Sequence, residues 1–265
     1  MTTSPPRGSN EKISVCIICG NEEENIERCL KSVTWADEVL VVDSFSHDRT
    51  PEIARRYTPN VIQQEWLGYI GQKKFTAERA KGPWILFVDA DEEVSPALRK
   101  EIEALFSKPL PPEVHGFECP RLVPYLGRWI RHGDWYPDMK LRLFKKEHGE
   151  CGGKEPHDQI YVTGEVRRLH GDLYHYTYMG IEDQLATINR FSTISAQTND
   201  EEGRTVSMFD LIFRPVFRFF RGYIVKCGFL DGIPGLIVAS NVAFGTFAKY
   251  AKLWELQHVK RKNGK

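Results

Sequence analysis

The sequence predicts an α/β fold built on a mostly parallel sheet. Short apolar runs, each too short for a helix, recur in the first third of the chain at residues 13–19, 39–42 and 84–88. Such runs are typical of strands that are buried on both faces. Helical patterns separate them, and strands that alternate with helices form parallel sheets through right-handed crossovers.

The first predicted strand, residues 13–19, leads into a helix. Asn21 and Glu24, three residues apart, are typical of a capping box at a helix start. The apolar residues that follow recur at helical spacing on one face. They are Ile26, Leu30 and Val33.

The second strand ends at Asp43, and the polar loop 43–50 leads into another helix. Thr50 is suited to cap that helix, and Pro51 suits its first position. A short strand at residues 61–62 and a helix at 71–80 follow. The second of these helices carries Lys73, Lys74 and Arg79.

Two aspartates, Asp89 and Asp91, stand directly after the strand 84–88. In an extended chain they point to the same side, and ligands of open α/β sheets bind at the carboxyl ends of strands. Paired carboxylates suit Mg²⁺ or Mn²⁺, which proteins often hold together with substrate phosphates. The pair therefore predicts a metal–diphosphate site. The alternative, helix capping, is less favoured because Ser95 and Pro96 start the next helix themselves.

The middle of the chain predicts strands of mixed direction joined by long loops. A strand is expected at 116–123, loops at 127–138 and 149–158, and short strands around Tyr161 and at 169–175. Residues 139–144 alternate between polar and apolar, which predicts a half-buried strand with Lys140 and Arg142 on one face.

After about residue 181 the chain becomes helical and apolar. Arginines and bulky apolar residues recur side by side at helical spacing, which is typical of a helix lying in a membrane interface. They are Arg214, Arg218 and Arg221, beside Phe213, Phe217, Phe220 and Ile224. Residues 233–248 carry no charge but fall short of the ~20 residues needed to span a bilayer. The sequence therefore favours a monotopic or re-entrant membrane association over a crossing, with a helical subdomain or a dimer interface as the alternative.

Composition narrows the functional class. The 265 residues hold 36 Lys+Arg and 36 Asp+Glu, so no global nucleic-acid footprint exists. Residues 1–10 lack the apolar core of a signal peptide, which predicts a cytoplasmic protein with reduced thiols. Cys16 and Cys19 lie three apart in a predicted strand, where they face opposite sides and do not suit zinc or redox chemistry.

Four segments are predicted along the chain: a disordered start (1–11), an α/β domain (12–180), a helical membrane-interfacial region (181–258) and a basic tail (259–265) that suits anionic headgroups.

Several motifs occur together in order and spacing, and together they resemble the family-2 glycosyltransferases with the GT-A fold. The resemblance is to the lipopolysaccharide-core β-glucosyltransferase-like branch. The matching pieces are ICGNEE (18–23), DSFSHDRT (43–50), GPWILFVDADE (82–92), GDWYPD (133–138), LRLF (141–144), PHD (156–158) and LYHYTY (173–178). The fold implied is a Rossmann-like, mostly parallel sheet that binds a nucleotide sugar, with a C-terminal helical segment that associates with membranes.

The resemblance implies a donor site on the N-terminal half. Asp43 would accept hydrogen bonds from the base or ribose, and Asp89 would lie near the ribose or the metal. Asp91 would bind Mg²⁺ or Mn²⁺ directly, and Lys73 would add positive charge near the phosphates. The alternative for Asp43 is a turn residue, and for Lys73 a solvated lysine.

The resemblance also implies the acceptor side. Asp158 would be the general base that takes the proton of the acceptor hydroxyl, with a loop aspartate as the alternative. His175 would reach the metal or the diphosphate, or serve as a structural residue. Arg142 would contact phosphate, brace the Asp158 loop, or form a structural ion pair.

The function implied is an inverting, metal-dependent transfer of a sugar from a nucleotide sugar, with a UDP-sugar favoured. The acceptor would be the lipopolysaccharide core or another lipid-linked or cell-surface glycan, at the inner face of the cytoplasmic membrane. A degenerate member acting as a membrane-bound scaffold in glycan assembly is the non-enzymatic alternative. A dinucleotide oxidoreductase is disfavoured because no G-x-G-x-x-G follows the first strand.

Overall fold

The computed structural model describes residues 11–154 and 157–260, which form two compact units. The sheet unit holds residues up to 121 together with 138–175, and the helical unit holds 122–137 and the residues from 176 onward. The predicted disordered start and basic tail lie almost entirely outside the described residues.

The first half of the sheet unit is a parallel sheet in the order β3-β2-β1-β4. Its strands are β1 (Ile13–Cys19), β2 (Glu38–Asp43), β3 (Val61–Gln63) and β4 (Trp84–Phe87). Every residue of β1 and β4 is buried, as expected for strands covered on both faces. Cys16 and Cys19 belong to the clusters on opposite faces of this sheet, so the prediction of their orientation is confirmed.

Helices cover both faces of this sheet. They are α1 (Ile26–Val33), α2 (Thr50–Arg55) and α3 (Gly68–Arg79). The main core packs α1 and α2 against the sheet, and a smaller core on the other face includes Ala77 and Ala80 at the end of α3. Ile26, Leu30 and Val33 are buried as predicted.

The predicted capping box at Asn21 is wrong. The residue before α1 is Asn25, whose side chain makes no capping hydrogen bond. Asn21 adopts a left-handed conformation (φ +57°), and its side-chain oxygen accepts a hydrogen bond from the backbone N–H of His47, 2.9 Å away. Its polar groups therefore fasten the turn after β1 to the loop after β2 instead of starting the helix.

After β4 the chain turns sharply instead of continuing extended. The backbone N–H of Glu92 donates to the carbonyl oxygen of Asp89 at 2.8 Å. The prediction that Asp89 and Asp91 share one side of an extended chain is therefore wrong, and the two carboxylates have different partners. The turn leads into β5 (Glu92–Val94) and α4 (Pro96–Leu105). Ser95 caps α4 by accepting a hydrogen bond from Leu98, as predicted.

Most of the remaining strands are antiparallel. They are β6 (Val114–Tyr125), β7 (Arg128–Ile130), β8 (Asp138–Lys145), β9 (Gly149–Lys154), β10 (His157–Val162), β11 (Glu165–Arg168) and β12 (Leu173–His175). β8 lies antiparallel to both β4 and β6, β12 is antiparallel to β5, and β11 is parallel to β6.

The predicted loop at 149–158 is instead part of a two-stranded sheet formed by β9 and β10. Glycines disfavour strand predictions because they add no side-chain packing. Here the ring of Tyr161 on the opposite strand lies over Gly152, and a Cβ at this position would be 2.9 Å from it. Asp158 lies in β10 opposite Gly153 and is held by a strand, not by a loop.

A β-bulge interrupts the predicted alternation in β8. Phe117 pairs with Leu143, but the next residue, Glu118, pairs with Leu141. Arg142 is therefore the extra residue of the bulge. Bulges re-aim single side chains and are common next to active sites. Lys140 and Arg142 nevertheless line the same polar cleft, which agrees with the prediction that they share a face.

The helical unit contains α5 (Ile181–Glu201), α6 (Met208–Phe220) and α7 (Gly232–Glu255). A π-helical turn, Arg221–Val225, extends α6. α7 packs against both α5 and α6. Among the described residues, one helical stretch, Gly228–Val259, is long and apolar enough to cross a membrane by length and composition alone, and 28% of its most apolar window is buried.

Candidate active site

All seven residues that the sequence nominated lie in the sheet unit. Asp43 ends β2, Asp89 and Asp91 follow β4, Lys73 lies in α3, Arg142 in β8, Asp158 in β10 and His175 at the end of β12. The structure brings four of them, Lys73, Asp89, Arg142 and Asp158, into one connected cluster. Asp91 and His175 form a separate pair. Asp43 contacts the strands on either side of β2 and the loop that follows β2.

Lys73 joins the two halves of the cluster. Its side chain is only 2% exposed, and its ammonium lies 2.7 Å from a carboxylate oxygen of Asp158 and 3.0 Å from one of Asp89. A buried ammonium is strongly disfavoured unless it is paired, so this position requires both carboxylates. The alternative of a solvated lysine is therefore wrong for Lys73, whereas the neighbouring Lys74 is exposed.

Arg142 holds the other oxygen of Asp89. One guanidinium nitrogen lies 2.6 Å from Asp89 and 2.6 Å from Glu92, whose side chain is fully buried. Burial would lower the pKa of Arg142, but the charges of Asp89 and Glu92 and their hydrogen bonds outweigh it and raise the pKa. Arg142 thus forms an ion-pair network with the turn after β4. Its Nε is buried and makes no hydrogen bond within the described residues.

The two cations set the charge state of Asp89. Burial alone would raise its pKa, but the charges of Arg142 and Lys73, with hydrogen bonds from both, hold the pKa well below its ordinary value. Asp89 is therefore a carboxylate at any physiological pH. Because both of its oxygens are taken by protein cations, it is poorly placed to bind a metal directly.

A polar cleft of about 510 Å³ opens beside this cluster. It is lined by Asp89, Arg121, Met139, Lys140, Leu141, Arg142, Asp158, Gln159 and Ile160. The lining combines carboxylates with three basic side chains, so the cleft can accept an anionic ligand beside a proton acceptor. Its residues come from β6, β8, β10 and the turn after β4, which fixes the cleft on strands and not on loops.

Asp91 and His175 form the second pair, with 3.1 Å between a carboxylate oxygen and the imidazole Nε2. His175 pairs with Glu92 across β12 and β5, which places it next to the turn that carries Asp91. The described residues contain no cluster of three or more His, Cys, Asp or Glu side chains suited to a metal ion. The pair therefore fits a divalent ion only if a ligand such as a diphosphate supplies the remaining oxygens, which is the usual arrangement for Mg²⁺.

Glu22 carries a further carboxyl group close to this pair. Burial raises its pKa, a hydrogen bond from Asn25 opposes that shift, and the negative charges of Asp91, Asp48 and Asp89 raise it further. Negative potential therefore accumulates at this edge of the sheet, as suits a cation-binding region.

Asp43 is fully buried and closes the loop that follows it. Its carboxylate accepts hydrogen bonds from the backbone N–H of Ser46 at 3.1 Å and from the Ser46 hydroxyl at 2.5 Å. Asp48 also stabilises this loop, since it accepts hydrogen bonds from the backbone of Glu23 and Thr50. The nucleotide contact of Asp43 stays a prediction.

Sequence reasoning missed three residues that organise the site. Glu92 is fully buried and binds Arg142 as well as the backbone N–H of Asp89. Arg121 lines the cleft and lies 3.5 Å from Glu92. Buried Gln72 donates to Ser44 in the loop after β2 at 3.1 Å. The sequence did contain a feature that could have predicted the role of Glu92, because Glu92 is the third acidic residue after a buried strand. No comparable feature of the sequence predicted the roles of Arg121 and Gln72.

Comparison with known proteins identifies the family. Residues 14–153 match the family described as Glycosyl transferase family 2. The chain is 32% identical over 256 residues to an uncharacterized glycosyltransferase of Rickettsia typhi, covering 93% of this chain and 88% of the relative. The chain belongs to glycosyl transferase family 2. The resemblance inferred from its motifs is thereby confirmed, and the protein is a glycosyltransferase.

Two further matches are a relative named for lipopolysaccharide core biosynthesis and a solved structure. A lipopolysaccharide core biosynthesis glycosyltransferase, LpsC of Rhizobium meliloti, is 29% identical over 255 residues, which cover 94% of both chains. A solved mannosyltransferase of Pyrobaculum calidifontis, in complex with GDP-Man and Mn²⁺, superposes with a TM-score of 0.56 at 16% identity, covering 92% of this chain and 87% of that one. The predicted GT-A fold class is confirmed.

Proposed function

We propose that this glycosyltransferase uses a divalent metal and inverts the anomeric configuration as it moves a sugar from a nucleotide sugar, with a UDP-sugar favoured, to a lipid-linked glycan. The observation that carries the proposal is the buried Lys73, which holds Asp158 and Asp89 on the wall of one polar cleft. A carboxylate fixed by a strand and a cation, and facing open space, is the arrangement that a general base requires.

Asp158 is the proposed base. Inverting transfer needs a carboxylate that takes the proton from the acceptor hydroxyl as its oxygen bonds to the anomeric carbon. Lys73 orients this carboxylate through its 2.7 Å contact.

The leaving group is a nucleoside diphosphate, and its negative charge grows as the glycosidic bond breaks. Arg121, Lys140 and Arg142 supply positive charge along the cleft. A Mg²⁺ or Mn²⁺ ion held by Asp91, His175 and the diphosphate would neutralise part of that charge. Asp43 is proposed to contact the nucleotide, since it ends β2 at the edge where parallel sheets bind ligands.

The acceptor proposal has its support in LpsC, which is named for lipopolysaccharide core biosynthesis and matches almost the full chain. Donor and metal proposals are supported by the mannosyltransferase of the same fold, whose complex contains GDP-Man and Mn²⁺. A lipid-linked acceptor would place the enzyme peripherally on the inner face of the cytoplasmic membrane.

The experiment that tests this function is titration of the protein with UDP, UDP-glucose and GDP-mannose, each with Mn²⁺, with Mg²⁺ and with EDTA. We expect metal-dependent binding of one nucleotide. Asp91→Ala should weaken that binding by at least about tenfold, whereas Asp158→Asn should leave binding intact and abolish transfer to the acceptor by removing the base.

Glu52→Ala serves as the matched control, because Glu52 forms only an exposed ion pair within α2. It should bind and turn over like the wild type. Normal turnover by Asp158→Asn would remove Asp158 from its role. No nucleotide binding under any metal condition would favour a non-catalytic scaffold.

A further inference from the structure

We propose that α6 binds an anionic lipid bilayer by laying one apolar face into the membrane interface. The α6 outer face is defined by side chains that are 49% to 65% exposed. They are Phe209, Ile212, Phe213, Val216, Phe217, Phe220 and Ile224. The inference deepens the proposed function, because a lipid-linked acceptor lies in a bilayer.

The amphipathic pattern of α6 is inverted relative to a helix of a water-soluble protein. Such a helix turns its apolar stripe toward the core and its charges toward solvent. In α6 no residue is fully buried, and the apolar stripe at i, i+3, i+4 and i+7 faces outward. An exposed aromatic stripe of this length marks a binding surface, not a solvated one.

The polar side chains of α6 fix it to the rest of the helical unit. Arg214 pairs with Asp210 and lies 5.5 Å from the ring centroid of Tyr250 on α7. Arg221 pairs with Asp134, which is 7% exposed, and Arg218 lies 3.7 Å from the same carboxylate. These contacts hold α6 with its apolar face outward.

Charge favours a bilayer over a second copy of the chain. Residues 208–230 contain four basic residues, Arg214, Arg218, Arg221 and Lys226, and one acidic residue, Asp210, which pairs with Arg214. The three nearest to Asp134 share that single carboxylate, so the margin of the outer face keeps a positive excess. Anionic headgroups balance such an excess, whereas a symmetric dimer through the same face would bring two positive margins together.

One face of the apolar helix α7 is occupied by contacts with α5. Asn241 donates a hydrogen bond to Gln184 of α5 at 2.6 Å. The Lys252 ammonium donates at 2.7 to 2.8 Å to three residues of α5, Asn189, Ser192 and Thr193. Val238 and Leu253 are buried within the unit. One face of α7 is therefore committed to packing within the helical unit. Other apolar side chains of α7 are 40% to 73% exposed, namely Ile233, Leu236, Phe244 and Phe247.

The test is co-sedimentation of the full chain with phosphatidylcholine vesicles, with and without phosphatidylglycerol. We expect binding that requires the anionic lipid and weakens at high salt. The double variant Phe213→Ser/Phe217→Ser should lower the partition coefficient by at least about tenfold. Phe213→Leu/Phe217→Leu should retain most of the binding, because leucine also enters the interface.

A matched control removes two exposed apolar side chains from α5, Leu185→Ser/Ile194→Ser, which are 39% and 38% exposed. It should bind vesicles like the wild type. Equal vesicle binding by the α6 and α5 double variants would overturn the proposal. A wild-type dimer that dissociates only in the α6 double variant would also overturn it. Nucleotide binding, measured on the same samples, is expected to be unchanged, so a failure here is distinct from a failure of the catalytic proposal.

Discussion

Lys73 and Lys74 are adjacent in sequence, yet their environments differ completely. Both lie in a helix with a mixed pattern, and nothing in the sequence distinguishes them. In the fold Lys73 is buried between Asp89 and Asp158, whereas Lys74 faces solvent. One side chain thus stabilises two carboxylates that come from the turn after β4 and from β10.

We expect Lys73→Met to lower kcat at least about tenfold and to destabilise the fold by about 3 kcal/mol, because it leaves Asp158 without the Lys73 cation and Asp89 with Arg142 alone. Lys73→Arg, which keeps the charge, should recover part of the stability. Steady-state kinetics and urea unfolding measure the two effects. Lys74→Met is the matched control and should leave both unchanged; an equal loss in both methionine variants would contradict the role of Lys73.

At the scale of elements, the start of α4 depends on a close backbone approach. The segment before β12 passes against α4, where Glu101 accepts hydrogen bonds from the backbone N–H groups of His170 and Gly171. A Cβ on Gly171 would lie 2.3 Å from both the backbone nitrogen and the Cα of Leu98. Only glycine allows this contact, which positions β12 and therefore His175.

Gly171→Ala should therefore destabilise the protein by about 2 kcal/mol, because the backbone of α4 must move to make room. The change would be seen as a lower midpoint of urea unfolding. Gly180→Ala, where a Cβ would meet no atom within 4 Å, is the control and should cost less than half as much. A Gly171→Ala midpoint equal to that of the wild type would show that α4 and β12 are not held this closely.

At the scale of the whole molecule, charge balance depends on carboxylates that are held ionised. The chain carries equal numbers of acidic and basic residues, and several carboxyl groups have lowered pKa values. Burial would raise the pKa of Asp138, but the Arg121 charge and hydrogen bonds outweigh it, with help from Lys140. In the same way, the charges of Arg142 and Lys73 outweigh the effect of burial on Asp89 and lower its pKa.

A folded-state pKa below the unfolded value gives stability that is present above the unfolded pKa and is lost as pH falls toward the folded one. We therefore expect the melting temperature to fall steeply below about pH 4, where unfolded aspartates take up protons. Thermal melts between about pH 7 and pH 3 measure this. Asp138→Asn removes one such group, so its decline should be shallower; a slope identical to the wild type would exclude Asp138 as a contributor.

The sequence by itself determined the buried parallel strands and the family. Runs such as 84–88 predict buried strands, because a wholly apolar stretch too short for a helix is stable as a strand that is covered on both faces. The ordered motifs identified a family-2 glycosyltransferase. The paired carboxylates after the buried strand nominated Asp89, and the resemblance of the ordered motifs to a known family nominated Arg142 and Asp158.

The tertiary structure alone decided how these residues combine. The turn after β4 separates the partners of Asp89 from those of Asp91, the bulge in β8 aims Arg142 at Asp89 and Glu92, and Lys73 reaches Asp158 across 85 residues of chain. Local patterns record how a residue fits its own helix or strand. They do not record which distant charge compensates its burial, and that compensation builds this site.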